Sequence, residues 1–545
     1  MKPRPEKITG QIVDVINDRI FKGEIYIENG EIKSIREVAR AESQYILPGL
    51  IDAHVHIESS MLVPSEFARM AVTHGTIATV SDPHEIANVN GLEGVYYMLE
   101  NARKTPFYVN FGAPSCVPAT GFETSGAHLG PDEVEALLKR PDILYLSEMM
   151  NYPGVLFSEP EVIDKLKIAA KYGKPVDGHA PGLTGENARK YIKAGITTDH
   201  ECFSKEEALY KINHGMKIII REGSAAKNFD ALIELIEKYP DSLMFCSDDK
   251  HPDALVESHI DDLVRRSISN GFRMIDILRV ATLNPSLHYR LPHGLLREGD
   301  PADFIVVDDL KEFHVKETWL QGQKVAENGK SLLPYIESGV VNHFDCRYIH
   351  EEELKLTAES GRINVIEIQP DQLITKAMIA DTRIRNGYAE SDPEADILKI
   401  VVINRYSQES KPAIGFVKGF GLQRGALAST IAHDSHNIIA VGADDESIAN
   451  AINLLVKNKG GISLVSENNQ NILSLPVAGL MSTANGYNVA DKYKEIDYQA
   501  KNLGSKLAAP YMSMSFLALL VIPELKMSDQ GLFDGKEFRF TSLFV

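Results

Sequence analysis

His54 and His56 stand two apart in LIDAHVH. Residues two apart on an extended strand point to one face, so both imidazoles can reach a single ion. Asp82 and His84, Glu148, His179, His200, and Asp248 with Asp249 follow, each at the end of an apolar run that reads as a strand. These are nitrogen and oxygen donors of the kind that hold divalent metals. A carboxylate such as Glu148 can bridge two ions about 3.5–4 Å apart. Asp248 would then complete the ion held by His54 and His56, and His179 with His200 the other. Two ions sharing a water lower its pKa towards about 7, which makes hydroxide available at neutral pH.

Taken singly, each residue has an ordinary reading. A lone histidine is commonly a surface or satisfied core residue, Glu148 could be a solvated strand end, and Asp248-Asp249 could cap a helix. Asp82-Pro83-His84 reads as a turn as readily as pocket lining or a hold on a further ion. The placement of His54, His56, Glu148, His179, His200 and Asp248 at separate strand ends is what sets the group apart.

The elements that must position them alternate strand and helix. LIDAHVH, TIATVSD, FYVNFGAP, ILYLSEMM, PVDGHA, ITTDHE, MKIIIREGS and LMFCSDD are strand-like. Between them lie helical patterns such as PSEFARMAVTHG, EPEVIDKLKIAAKYG and NFDALIELIEKYP. Such alternation over about 200 residues is what a TIM-like (β/α)₈ barrel needs, and barrels of this kind assemble active sites at the C-terminal ends of their strands. The barrel is expected over residues 48–295. Short alternating strands at 1–47 and again at 296–345 predict a small composite β-sandwich domain built from both flanks. Residues 346–545 change in character and predict a C-terminal α+β domain.

The 545 residues carry 57 Lys+Arg against 76 Asp+Glu, a formal charge of −19. A surface this acidic argues against nucleic acid and anionic membranes as partners and leaves a neutral or cationic small molecule open. The four cysteines (Cys116, Cys202, Cys246, Cys346) form no CxxC pair, which argues against a thiolate zinc site or a disulfide framework. MKPRPEKITG has no apolar signal region, and the run Phe516 to Ile522 is too short to span a bilayer, so a cytoplasmic location is expected.

LPGLIDAHVHIESS, the His179 and His200 strand ends, and ATLNPSLHY…HGLLREGDPADFIVVDD resemble the amidohydrolase superfamily over roughly residues 8–335. Within it the sequence is similar to the bacterial adenine deaminases, in GLIDAHVHIESSML, TVSDPHEIANVNG, PVDGHAPGL, TTDHECFSKEEAL and FCSDDKHPDAL, and again in AHDSHNIIAVGADD and SFLALLVIPELKMSDQGLFD. The resemblance implies a binuclear centre filled by manganese(II) or iron(II), with Glu148 as the bridge. The donor types alone suit iron, manganese or zinc. It also implies hydrolysis of adenine to hypoxanthine and ammonia by an activated hydroxide, as in purine salvage, with Asp248 carrying the proton. Neutral adenine fits an acidic protein.

Pocket residues are sought near the same ends. Glu58, Ser59 and Ser60 follow the first strand and Arg221, Glu222 and Ser224 the seventh; any of them, like Asp249, could hydrogen-bond the purine edge or simply cap a loop. His433, Asp434, Ser435 and His436 form a polar cluster that could close over the barrel mouth or lie in a surface turn. His56-Ile57-Glu58 fits the HxE of the zinc deaminases, but no PCxxC accompanies it, which excludes that fold. A cyclic amide hydrolase of the dihydropyrimidine or hydantoin type would show similar ligands, although Glu148 in the place of a lysine and the extra C-terminal domain point away from it. A non-enzymatic purine or metal sensor would be expected to have lost a ligand, and none is missing. An even-numbered homo-oligomer, dimer or tetramer, is the default expectation.

Overall fold

The computed structural model describes residues 6–369, 372–467 and 469–545. Its centre is a barrel of parallel strands: β1 (Leu50–Val55), β2 (Thr76–Ser81), β3 (Tyr108–Ala113), β4 (Ile143–Met149), β5 (Val176–Gly178), β6 (Thr198–Asp199), β7 (Lys217–Arg221) and β8 (Leu243–Cys246). β1 to β5 pair in sequence order, as do β6 to β8. The Thr197 amide donates to the Val176 carbonyl at 2.9 Å, linking β5 to β6. Asp248 N–H donates to the His54 carbonyl at 3.0 Å and a bridge joins Val55 to Asp248, so β8 closes on β1. Every residue of β1 and β2 is buried, as the near-continuous apolar runs of a doubly covered parallel strand require.

Two buried charged residues of the wall are satisfied by polar neighbours. Asp52, fully buried on β1, accepts from Ser247 Oγ (2.5 Å) on the segment after β8 and from His259 Nε2 (2.8 Å), whose other nitrogen meets Thr76 Oγ1 on β2 (2.7 Å). Beside β6, Lys211 Nζ donates to Asp199 Oδ2 at 2.5 Å and to Glu207 Oε1 at 2.6 Å. The segment expected as one helix, NFDALIELIEKYP, is instead a short turn of α-helix at Phe229–Leu232 followed by a 3₁₀ turn at Ile233–Glu237. Phe229, Leu232, Ile233 and Ile236 are buried at the i, i+3, i+4, i+7 spacing that predicts a helix, and Leu235, off that face, is buried with them.

The two flanks join in one eight-stranded sheet. Tyr45–Pro48 pairs antiparallel with Phe304–Val307 and parallel with Glu6–Asp14. The sheet encloses a core that includes Ile12, Ile25, Ile46, Phe304 and Trp319. The C-terminal part holds a second eight-stranded sheet, in which Ile397–Ile403 pairs with Ile438–Gly442, and two long helices, Asp445–Asn458 and Gly486–Asn502.

This part sits on the barrel. Ser482 N–H donates to the Met61 carbonyl (2.8 Å) and Gly486 N–H to Glu66 Oε2 (2.8 Å). A Cβ on Gly486 would stand 2.6 Å from Met70 Sδ, so glycine permits the close approach. Among the described residues no helix is long and apolar enough to cross a membrane.

Candidate metal centre at the barrel mouth

The strand ends bring His54, His56, Glu148, His179, His200 and Asp248 together, all buried. Glu148 lies at their middle, and its two oxygens face different partners. Oε1 is 3.3 Å from His56 Nε2; Oε2 is 2.8 Å from His179 Nδ1, 3.2 Å from His200 Nε2 and 4.0 Å from His54 Nε2. Asp248 Oδ1 stands 3.3 Å from His56 Nε2 and 3.6 Å from His54 Nε2. The His56 ring donates its Nδ1–H to the Asp82 carbonyl at 3.3 Å, which turns Nε2 towards the cluster.

Several sets of these atoms lie within 4.8 Å of one another and could hold a metal ion: His54, His56 and Asp248; His54, Glu148 and His200; His179, His200 and Glu201; and His56, Asp82, His84 and Glu148. Burial alone would push the carboxyls of Glu148 and Asp248 up. For Glu148 the surrounding histidines, His179 foremost, together outweigh it, for Asp248 Arg221 with His56 and His200 do, and both are held well below the usual carboxylate range. Nitrogen and oxygen donors converging on a buried, ionised carboxylate fit a divalent cation.

Arg221 is tied down. Its Nη1 donates to Asp248 Oδ2 at 2.7 Å and, with Nη2 (3.0 Å), grips the Glu201 carboxylate. It therefore anchors the cluster through its two Nη groups, while it also lines the small cavity with its Nε unpartnered. Asp248 itself sits at φ 52°, a region that a non-glycine residue occupies only where the surroundings enforce it. It does not cap the following helix, Pro252–Glu257, whose N-cap is His251.

The other expected pocket residues separate. Asp82 starts the turn, accepting from His84 N–H at 3.0 Å, and its Oδ2 is 3.0 Å from His84 Nδ1, which is 3.6 Å from Glu148 Oε1. Glu58 accepts from Ile86 N–H at 3.2 Å, and burial with the nearby Glu85 lifts its carboxyl to about 7. Ser59 donates to Asp249 at 2.5 Å, Ser60 to the Ile57 carbonyl, and Ser224 Oγ accepts from His251 N–H. Glu222 turns outward to Arg266 at 2.9 Å. Side chains alternate along a strand, so Arg221 facing in sends Glu222 out.

The polar cluster of the C-terminal part is buried and reaches the site. Glu85, next to His84, is 2.6 Å from His433 Nδ1 through Oε1, and its Oε2 contacts His436 Nε2. Asp434 Oδ1 is 3.8 Å from His84 Nε2. The cavity above Glu148 is small, about 20 Å³, and is roofed by Leu373, His433, Asp434, Phe516 and Leu519. A larger cavity of about 260 Å³ adjoins it and shares Leu373 and Phe516. Glu85 and Glu201 each follow a candidate ligand directly in sequence, which is the one signal that could have found them.

The sequence matches the amidohydrolase family over residues 45–325 and the adenine deaminase C-terminal domain over residues 372–539. It is 54% identical to an adenine deaminase of Salinibacter ruber, covering all of both chains. It is 53% identical to one of Methanosarcina mazei, over 99% of this chain and all of the relative, and 54% identical to one of Sulfurovum sp., over 97% and 98%.

Proposed function

This chain belongs to the adenine deaminase family of the amidohydrolases, and on that ground we propose that it hydrolyses adenine to hypoxanthine and ammonia at the barrel mouth. The observation that carries the site reading is Glu148, central to the cluster, with Oε1 beside His56 and Oε2 beside His179 and His200 and 4.0 Å from His54. We read it as the bridge between two divalent ions, manganese(II) or iron(II), with His54, His56 and Asp248 on one side and His179 and His200 on the other. Such ions, when bound, supply a water acidic enough to attack at neutral pH.

The residues of this chain then divide the remaining work. Asp248 keeps Oδ1 towards the cluster while Arg221 holds Oδ2. Oδ1 is placed to accept a proton from the attacking water and to return it to the amino group leaving C6. Water adds its oxygen to C6, the C6–N bond breaks, and ammonia departs. Leu373, Phe516 and Leu519 roof the cavity with apolar surface that limits access of bulk water and suits a flat neutral ring. His84 and Asp434 face the same cavity and are the groups best placed to meet the polar ring edge. The segments 1–47 with 296–345, 48–295 and 346–545 are proposed as the structural units, assembled in an even-numbered homo-oligomer.

The test is ammonia release from adenine by protein loaded with manganese(II) or iron(II), with adenosine and dihydrouracil in parallel. Turnover of adenine alone, reduced at least about 100-fold by Asp248→Asn, is the expected result. Turnover of dihydrouracil without adenine would overturn the substrate assignment.

A further inference from the structure

Glu85 opens the helix His84–Ala102 on the barrel, whereas His433 and His436 lie between the strands Ala426–Ser429 and Ile438–Gly442 of the C-terminal sheet. The chain brings them together across more than 300 residues. All are buried, and one donor atom from each of Glu85, His433 and His436 falls within 4.8 Å of the others. Glu85 presents Oε1 to His433 Nδ1 at 2.6 Å and Oε2 to His436 Nε2. Asp434 Oδ1 stands 3.7 Å from the same His433 nitrogen, and His84 Nε2 lies 3.4 Å from Glu85 Oε1.

The charge balance is the second observation. All the ion-pair partners of Glu85 and Asp434 among the described residues are histidines; the buried Arg405 guanidinium acts on His436 but pairs with neither carboxylate. Two further buried carboxyls, Glu58 and Glu123, crowd the same region. Asp434 Oδ2 and His84 Nε2 have no hydrogen-bond partner although they are buried. Buried carboxylates without fixed cations are costly unless a metal or protons offset them. The donor spacing resembles that around Glu148, where His179 Nδ1 is 2.8 Å and His56 Nε2 3.3 Å from a carboxylate oxygen. Bonds of about 2.0–2.2 Å to one ion can be reached from such spacings by small side-chain shifts.

We propose that Glu85, His433 and His436 bind a further divalent first-row cation, with Asp434 beside them as an additional donor, and that this ion clamps the C-terminal part onto the barrel mouth. Imidazole with carboxylate suits manganese, iron or zinc. The inference rests on reading the barrel mouth as the catalytic metal centre, but its test is separate from that reading.

The full chain, prepared with manganese(II) and freed of loose metal by gel filtration, is analysed for metal content beside two variants. The double variant His433→Gln/His436→Gln is expected to hold one equivalent per chain less than the parent. The double variant His54→Asn/His56→Asn is expected to keep that equivalent. Anomalous scattering at the manganese edge from crystals of the parent chain guards against a misfolded variant, and a peak is expected between Glu85 and the two imidazoles. Equal metal content in parent and His433→Gln/His436→Gln, or no anomalous peak at Glu85, would overturn the inference. Either result would leave adenine turnover by the parent, and hence the deaminase reading, untouched; a peak without adenine turnover would do the reverse.

Discussion

At the scale of single residues the decisive contact is the guanidinium of Arg221, shared between Glu201 and Asp248. It is 1% exposed, so solvent offers neither carboxylate an alternative. Arg221→Met would leave two buried carboxylates facing an apolar side chain, and loss of one partner from a buried ion pair costs about 3–5 kcal/mol. Arg221→Lys is the more telling variant. A lysine is a point charge and cannot fork across both acids, so it is expected to keep the fold and most of the metal while Asp248 loses its fixed orientation. The expected outcome is a fall in kcat of about 10²-fold with little change in KM, read from steady-state kinetics beside the metal content. A fall in KM-controlled binding alone would contradict the positioning role.

At the scale of elements, the strand ends were legible because each ligand follows an apolar run, and a barrel gathers those ends in one place. β6 is only two residues long, yet ITTDHE is readable because its neighbours set the rhythm. What was hidden is what other strands decide. Arg221 looks like a pocket donor in REGS, but its partners come from the ends of the two neighbouring strands, β6 and β8, 20 and 27 residues away. Leu373, Phe516 and Leu519 read as ordinary core residues because nothing local says that their core is the roof of a cavity. His433 to His436 read equally well as a surface turn, because burial by another part of the chain leaves no periodic trace.

The same level predicts how β6 is held. Lys211 pairs with Asp199, whose Oδ1 accepts from Glu201 N–H at 2.8 Å and so fixes the segment bearing His200 and Glu201. Lys211→Met is expected to destabilise the protein by about 3–5 kcal/mol, and the added change Asp199→Asn to recover part of that loss. Urea unfolding of the two variants measures it, and additive losses would show that the pair does not act together.

At the scale of the whole molecule, one apolar core runs from Met61, Val63 and Met70 on the barrel to Val477, Met481 and Val489 of the C-terminal part. Calorimetry is therefore expected to show one unfolding transition for both; two well-separated transitions would mean that the contact is only a docking. The pH dependence of that stability has an identifiable source. His293 is buried, its Nε2 accepts from Asn110 Nδ2 at 2.9 Å, and burial lowers it to about 3. In the unfolded chain a histidine titrates near about 6.5. Between these values the unfolded state binds the extra proton, so His293 favours the folded state fully above about pH 6.5 and progressively less as the pH falls towards about 3. Gln at this position can still accept from Asn110 and does not titrate. His293→Gln is thus expected to lose less stability on acidification than the parent, by up to about 1.4 kcal/mol per pH unit between about pH 6 and 4. Urea unfolding of both proteins, stripped of metal so that the barrel mouth contributes alike, measures the difference in slope. Parallel slopes would mean that His293 is protonated in the folded protein and that Asn110 has turned its carbonyl towards the ring.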